Sequence, residues 1–265
     1  MLLTQLGIPR LWGSNPEACW GWARMVACPI TRLIAPSYGY GVDRIPVTGG
    51  GVVAVNHFAE IDPTLIGCFS TRTLYYMAKI ELLDVPVAGE ILRWCGAFAV
   101  RRGEGDRESI RVARWAVREG HMVGVFAEGT RQRFGYPGPV QPGAVMLAVQ
   151  EDVPIVPCGI DSFNWSPANR RPCAVVWGAP ISLDVPRTGK GYKEGAAIVE
   201  QELVRLWRLA AQAAADRFPE VLPDGARRHG LVWPSQFHAH PELPPWPTEE
   251  WAAGPLGPVY RRNGS

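Results

Sequence analysis

Short apolar runs at 51–56, 72–78, 97–101, 122–127, 153–159 and 174–177 alternate with helical stretches, and this alternation narrows the fold more than any other feature. Runs of this length, rich in Val, Ile, Tyr and Phe, suit buried strands. Helical stretches fall at 63–70, 85–95, 106–119 and 143–150. Asp106 fits a cap, with Ile110, Ala113 and Val117 on one face of the helix that follows. A last amphipathic helix over 193–216 carries Val199, Leu203, Leu206 and Ala210 as its apolar stripe. Strands alternating with helices predict an α/β fold: a single domain with a mostly parallel central sheet flanked by helices. The 265 residues, 47% hydrophobic, are enough for such a core. No internal repeat is visible.

The first apolar run stops abruptly at Asn56-His57, and Asp62-Pro63 opens the next segment. Asp suits a helix N-cap and Pro the first helical position. The stretch therefore reads as strand, loop, helix, with an imidazole and a carboxylate in one loop. A carboxylate beside a histidine fixes its tautomer and supports its charged form, which makes a competent general base. A loop histidine beside an ordinary helix cap fits the stretch equally well. Two more loops follow strands: Arg101-Arg102-Gly103 after the third and Glu128-Gly129-Thr130-Arg131 after the fourth. In a parallel sheet, loops at the carboxyl ends of strands line the ligand crevice. Guanidinium forks bind phosphate bidentately, and Gly129 lets the backbone come close to a ligand. Together they suggest a hydroxyl-bearing phosphate ester, its anion held by arginines while His57 takes the hydroxyl proton. The arginines also fit a charged surface, and Glu128 also fits a loop-holding ion pair. His57, Glu60, Asp62 and Glu128 are metal-ligand types, but their spacing matches no metal signature. No G-x-S-x-G elbow and no Cys beside a His is present, which favours direct attack over a covalent acyl-enzyme.

A net charge of +2 gives no nucleic-acid footprint. The six Cys form no C-x-x-C pair and read as packed, reduced thiols of a cytosolic protein. No leader is expected after Met1-Leu2-Leu3, and no run of about 18 uninterrupted apolar residues exists to span a bilayer. Residues 1–40 bring Trp12, Trp20 and Trp22 together with Arg24 and Arg32. That mixture suits a helical segment at a membrane interface; a helix packed on the core is the other reading. Residues 219–265 are rich in Pro and form either a disordered tail or an extended arm on the domain. The intervening 41–218 would hold the catalytic domain. The histidines at 229, 238 and 240 read as solvated tail residues.

Four blocks in order give the chain a resemblance. They are Asn56-His57 to Asp62, Gly96 to Arg101-Arg102, Phe126-Ala127-Glu128-Gly129-Thr130-Arg131, and Val153-Pro154-Ile155-Val156-Pro157. Together with Lys79-Ile80-Glu81-Leu82 they resemble the glycerolipid acyltransferases, especially bacterial lysophosphatidic acid acyltransferases, over about residues 40–185. The resemblance implies transfer of a fatty acyl group from acyl-CoA or acyl carrier protein to a lysophospholipid hydroxyl. The first acceptor is 1-acylglycerol 3-phosphate; no metal or other cofactor is implied. His57 would be the base and Asp62 its partner. Arg102, Glu128, Gly129, Thr130 and Arg131 would bind the acceptor phosphate, and Lys79 would sit near the acyl carbonyl. Such an enzyme would lie peripherally on the cytoplasmic face of the cell membrane. Two departures bear on the acceptor. Ala127 replaces the usual Pro, expected to loosen the turn, and Arg101 stands where phosphatidate-forming members often carry Asp. Glycerol 3-phosphate, a lyso-aminolipid or a glycolipid are the alternative acceptors. A non-catalytic membrane lipid-binding protein and a thioesterase-like hydrolase are the readings from other classes.

Overall fold

The structure, a computed structural model, describes residues 16–79, 97–100 and 107–233. Its strands are β1 (Ser37–Tyr40), β2 (Gly51–Val55), β3 (Leu74–Lys79), β4 (Phe98–Val100), β5 (Met122–Phe126), β6 (Ile155–Asp161), β7 (Cys173–Trp177) and β8 (Arg228–His229). Its helices are α1 (Pro16–Ile34), α2 (Asp62–Cys68), α3 (Arg107–Arg118), α4 (Pro142–Glu151) and α5 (Gly189–Ala215). The strands form one sheet in the order β4-β3-β5-β2-β6-β7-β1-β8. The β1–β7, β2–β5, β2–β6, β3–β4 and β3–β5 pairings are parallel; β1–β8 and β6–β7 are antiparallel. The sheet is thus mostly parallel, as the alternation of elements predicts. The helix expected over 85–95 lies outside the described residues.

β2 shows why the run forms a central strand. It sits between β5 and β6 with all five residues buried. Alternate side chains point to opposite faces. Val53 and Val55 join a cluster with Trp20, Leu65 and Phe69 on one face. Val52 and Ala54 join Val112, Ala116, Leu147 and Val199 on the other. Each fully buried valine contributes about 1.5–3 kcal/mol, so two-sided burial fixes the register of the strand that delivers His57.

α5 packs on β6 and β7, and its N-terminus is capped by Thr188, whose hydroxyl accepts from Gly191 N–H at 3.2 Å. The helix begins before the expected 193 because this cap lies ahead of a glycine-rich first turn that propensity disfavours. Gly159 lets the helix come close to the sheet: a Cβ there would lie 2.4 Å from the Leu206 backbone.

α1 corrects one expectation. Trp20 is buried, not interfacial. Its ring covers Gly67 of α2, where an added Cβ would stand 2.5 Å away, and the buried Arg24 guanidinium lies 5.5 Å from the ring. Among the described side chains of α1, the exposed large apolar ones are Met25, Val26, Ile30 and Leu33, which recur at helical spacing along one side. Trp12 and the side chain of Trp22 lie outside the described residues.

Past α5 the chain turns back over the domain. Leu222, Ala226 and Val232 are buried, β8 pairs with β1, Arg44 binds Asp224 at 2.9 Å, and Val232 N–H donates to Cys68 carbonyl at 3.0 Å. Residues 219–233 therefore lie on the domain as an arm; those beyond 233 lie outside the described residues. Cys28, Cys68, Cys158 and Cys173 are free and buried.

Candidate active site

The parallel strands β4, β3, β5, β2 and β6 all end at one edge of the sheet. His57 follows β2, Glu128 follows β5, and Ser162 follows β6. Asn56 closes the end of the sheet. Fully buried, its side-chain amide donates to Ile160 carbonyl and accepts from Ile160 N–H, both at 2.8 Å. Where the β2–β6 ladder runs out, the asparagine supplies both halves of the next rung, so His57 leaves the sheet from a fixed point.

His57 is then held by four partners. Its N–H donates to Glu128 Oε2 at 2.9 Å, and its carbonyl accepts from Gln132 N–H at 2.8 Å. Its ring stacks on Phe126, centroids 3.9 Å apart, and Nδ1 lies 2.8 Å from Asp62 Oδ2. Asp62 is fully buried. It does not cap its helix: Ile61 occupies that position, and the carboxylate reaches back to the loop. Oδ2 also accepts from Phe58 N–H at 2.7 Å and Ala59 N–H at 3.0 Å, while Oδ1 accepts from the Ser162 hydroxyl. An oxygen already taking two N–H donors presents only acceptor capacity to the imidazole. His57 must therefore donate from Nδ1 and keep its lone pair on Nε2. With its side chain 13% exposed, the ring is mostly buried yet still reachable from outside. The plain helix-cap alternative does not survive this geometry.

Glu128 is buried, and both its oxygens serve backbone amides: Oε2 takes His57 N–H and Oε1 takes Gly138 N–H at 2.8 Å. Burial pushes its carboxyl up to about 7; the two backbone donors oppose this, and the charge of nearby Asp62 adds to it. A glutamate in the unfolded chain titrates near 4.5. The folded state thus holds this proton more tightly. The group's contribution to stability is full below about 4.5 and falls as the pH rises to about 7. Urea midpoints across that window should show the wild type losing stability relative to Glu128→Gln as the pH rises. A constant difference between the two proteins would refute the raised titration.

Gly129 adopts φ +73°, a left-handed turn that glycine enters without strain. Ala127 is not loose: its N–H donates to Val55 carbonyl and its carbonyl accepts from Gln141 N–H, both at 2.8 Å. A proline there would lack the first of these bonds. Thr130 and Arg131 are exposed, and Arg131 forms an ion pair with Glu60 across the rim, joining the β5 loop to the His57 loop. Lys79 ends β3 at the same edge of the sheet, its side chain outside the described residues. Arg101 and Arg102, just past β4, also lie outside them. The structure therefore brings His57, Asp62, Glu128, Gly129, Thr130 and Arg131 together. Among the described residues there is no cluster of three or more His, Cys, Asp or Glu side chains placed to hold a metal ion.

Residues that the sequence did not single out complete the site. Ser162 grips Asp62, and Gly138 grips Glu128. The partners in the first pair are 100 positions apart. Their meeting depends on which strand neighbours β2, and no local signal carries that.

Comparisons with known proteins bear on the family and the fold. A family model described as "Acyltransferase" matches residues 39–161. The chain is 32% identical over 119 residues to the 1-acyl-sn-glycerol-3-phosphate acyltransferase of Bacillus subtilis, covering 44% of this chain and 59% of that protein. It is 31% identical over 148 residues to the 1-acyl-sn-glycerol-3-phosphate acyltransferase alpha of Mus musculus, covering 50% of each. The chain thus spans about half the length of these relatives. Among solved structures, the 1-acyl-sn-glycerophosphate (LPA) acyltransferase PlsC from Thermotoga maritima shares the fold. The TM-score is 0.54 at 21% identity, over 73% of this chain and 78% of that one.

Proposed function

We propose, for a chain whose residues 39–161 belong to the acyltransferase family, that it moves a fatty acyl group from a thioester donor to the hydroxyl of 1-acylglycerol 3-phosphate. The observation that carries this reading is the 2.8 Å contact of His57 Nδ1 with Asp62 Oδ2, an oxygen that already accepts two backbone N–H groups. Nδ1 is committed to Asp62, so Nε2 is the atom that takes a proton. The acceptor hydroxyl gives its proton to Nε2 as its oxygen attacks the thioester carbonyl. The tetrahedral adduct collapses by breaking the C–S bond, and the leaving sulfur takes the proton back from Nε2. Asp62 stabilises the imidazolium in between. Arg131 and Arg102 would receive the acceptor phosphate, with Gly129 and Thr130 at the turn and Lys79 near the carbonyl oxygen. Arg101 would tune which acceptor is preferred. Glu128, both oxygens engaged, acts by holding the turn against His57 rather than by touching the phosphate. Acyl-CoA and acyl carrier protein are both suitable donors.

Incubating the purified protein with each donor and a panel of lyso-acceptors, read by mass spectrometry, tests the reading. Phosphatidate formed from lysophosphatidate is the expected result. Product from another lyso-acceptor alone would move the assignment to that lipid, and no product from any pair would end it.

Such an acceptor resides in a bilayer. Among the described residues no helix is long and apolar enough to cross one. The exposed side of α1 supports surface binding instead: its apolar side chains can sink into the headgroup layer while Trp20 fastens the helix to the core. Changing Met25, Ile30 and Leu33 to Gln should weaken vesicle cosedimentation by about tenfold or more with Tm unchanged, since each gives up the burial of a large apolar side chain. Undiminished sedimentation would place the membrane contact elsewhere.

A further inference from the structure

The loop between β5 and α4 carries an aromatic pair that the chemistry at His57 does not use. Phe134 is 78% exposed and Tyr136 56%, with ring centroids 6.3 Å apart and planes 24° from parallel. Exposed Arg131 and Arg133 precede them. Among the described residues most other large aromatics are buried, so two such rings presented side by side call for a partner.

The loop that carries the rings is anchored to the site. The loop is tied to the His57 carbonyl through Gln132 N–H and to Glu128 through Gly138 N–H. Between these ties Gly135, at φ +78°, rests on Phe163, where an added Cβ would meet the ring at 2.9 Å. Phe163 in turn meets Phe58 edge-on at 5.8 Å, next to His57 in the chain. These ties anchor the loop that carries the pair, a lip beside the base. The turn that carries Phe163 also carries Trp165, whose Nε1 donates to the Ile34 carbonyl at the end of α1 at 3.2 Å. One turn thus joins the lip to the helix with the exposed apolar side.

We propose that Phe134 and Tyr136 form a second membrane contact, a lip seated in the phospholipid headgroup layer at the mouth of the site. Aromatic rings favour the boundary between water and acyl chains, and guanidinium groups favour the lipid phosphates just above it. Arg133 supplies a cation at the lip. Seated this way, the lip lets a lyso-acceptor pass from the bilayer to His57 with its acyl chain kept from water. The inference rests on the acyltransferase reading for its kinetic consequence, but the contact itself can be tested without it.

The test compares wild type with Phe134→Ser/Tyr136→Ser on two presentations of the acceptor. One is long-chain lysophosphatidate in phosphatidylcholine–phosphatidylglycerol vesicles; the other is a short-chain analogue dissolved as monomer. The variant should lose about tenfold or more in kcat/KM on vesicles and keep wild-type activity on the monomeric analogue. Equal loss on both would make the pair part of the acceptor pocket, and no loss on either would leave it without a lipid role; each result overturns the proposal. If the wild type transfers no acyl group in either form, the acyltransferase reading fails, and Phe134→Trp still reports on the lip. The difference between its emission and that of the wild type, which already carries eleven Trp, should shift to the blue on the same vesicles. An unshifted spectrum, or a shift that follows self-association without vesicles, overturns the proposal.

Discussion

Replacing His57 with Ala is expected to lower kcat/KM for acyl transfer by about 10²–10⁴, the range a positioned general base supplies. The fold should survive. The ring is held at the site's edge, and its loss does not orphan the buried Asp62 carboxylate, which keeps Phe58 N–H, Ala59 N–H and the Ser162 hydroxyl. The backbone bonds of residue 57 to Glu128 and Gln132 do not depend on its side chain. What is lost is the proton acceptor and the stack on Phe126. Steady-state rates with saturating donor, beside a thermal melt, separate the two effects. An Ala variant that retained most of its activity while folded would remove His57 from the mechanism. An inactive variant with a collapsed melt would make His57 structural.

The parts of this site that were legible in the sequence are the local ones. The run into β2, its abrupt stop at Asn56-His57 and the restart at Asp62-Pro63 lie within one short stretch, and a strand buried on both faces leaves an uninterrupted apolar signature. The Glu128 turn was legible for the same reason: β5 ends where its apolar run ends, and glycine marks the left-handed residue. The elements that escaped are those made by distant partners. β1 is four residues, Ser-Tyr-Gly-Tyr, and exists because β7 and β8 flank it. β8 is two residues within a segment whose proline content argues against any strand. Trp20 shows a further limit. Tryptophan and arginine in one segment suit both an interface and a core, and only the groove over Gly67 decides between them. Asp62 shows another: an Asp before Pro reads as a cap, yet the carboxylate turned back on the loop instead.

That backward turn determines what Asp62→Asn should do. An asparagine can present either its oxygen or its NH₂ toward His57. The NH₂ would face the Phe58 and Ala59 N–H groups, which now donate to Oδ2. Donor against two donors in a buried site leaves polar groups unpaired, at about 1–3 kcal/mol each. The oxygen will therefore stay on the His57 side, and the NH₂ will fall toward Ser162, whose hydroxyl can rotate to accept. His57 keeps its proton on Nδ1 and its place; only the negative charge is lost. A hydrogen bond to a charged group contributes about 1.5–3 kcal/mol, so the imidazolium formed during transfer should lose roughly that stabilisation. The expected result is a fall in kcat of about 10- to 150-fold with the acceptor KM nearly unchanged. Asp62→Asn should thus be the milder lesion, well short of the upper end of the His57→Ala range. The Nδ1 proton should remain visible to NMR, bonded to the asparagine oxygen. Ser162→Ala on the Asn background should then leave the NH₂ without an acceptor and depress stability further. A loss as deep as the most severe expected for His57→Ala, with no Nδ1–H signal, would mean that the amide has turned and the histidine has taken the other tautomer. The two backbone amides would then not be what fixes it.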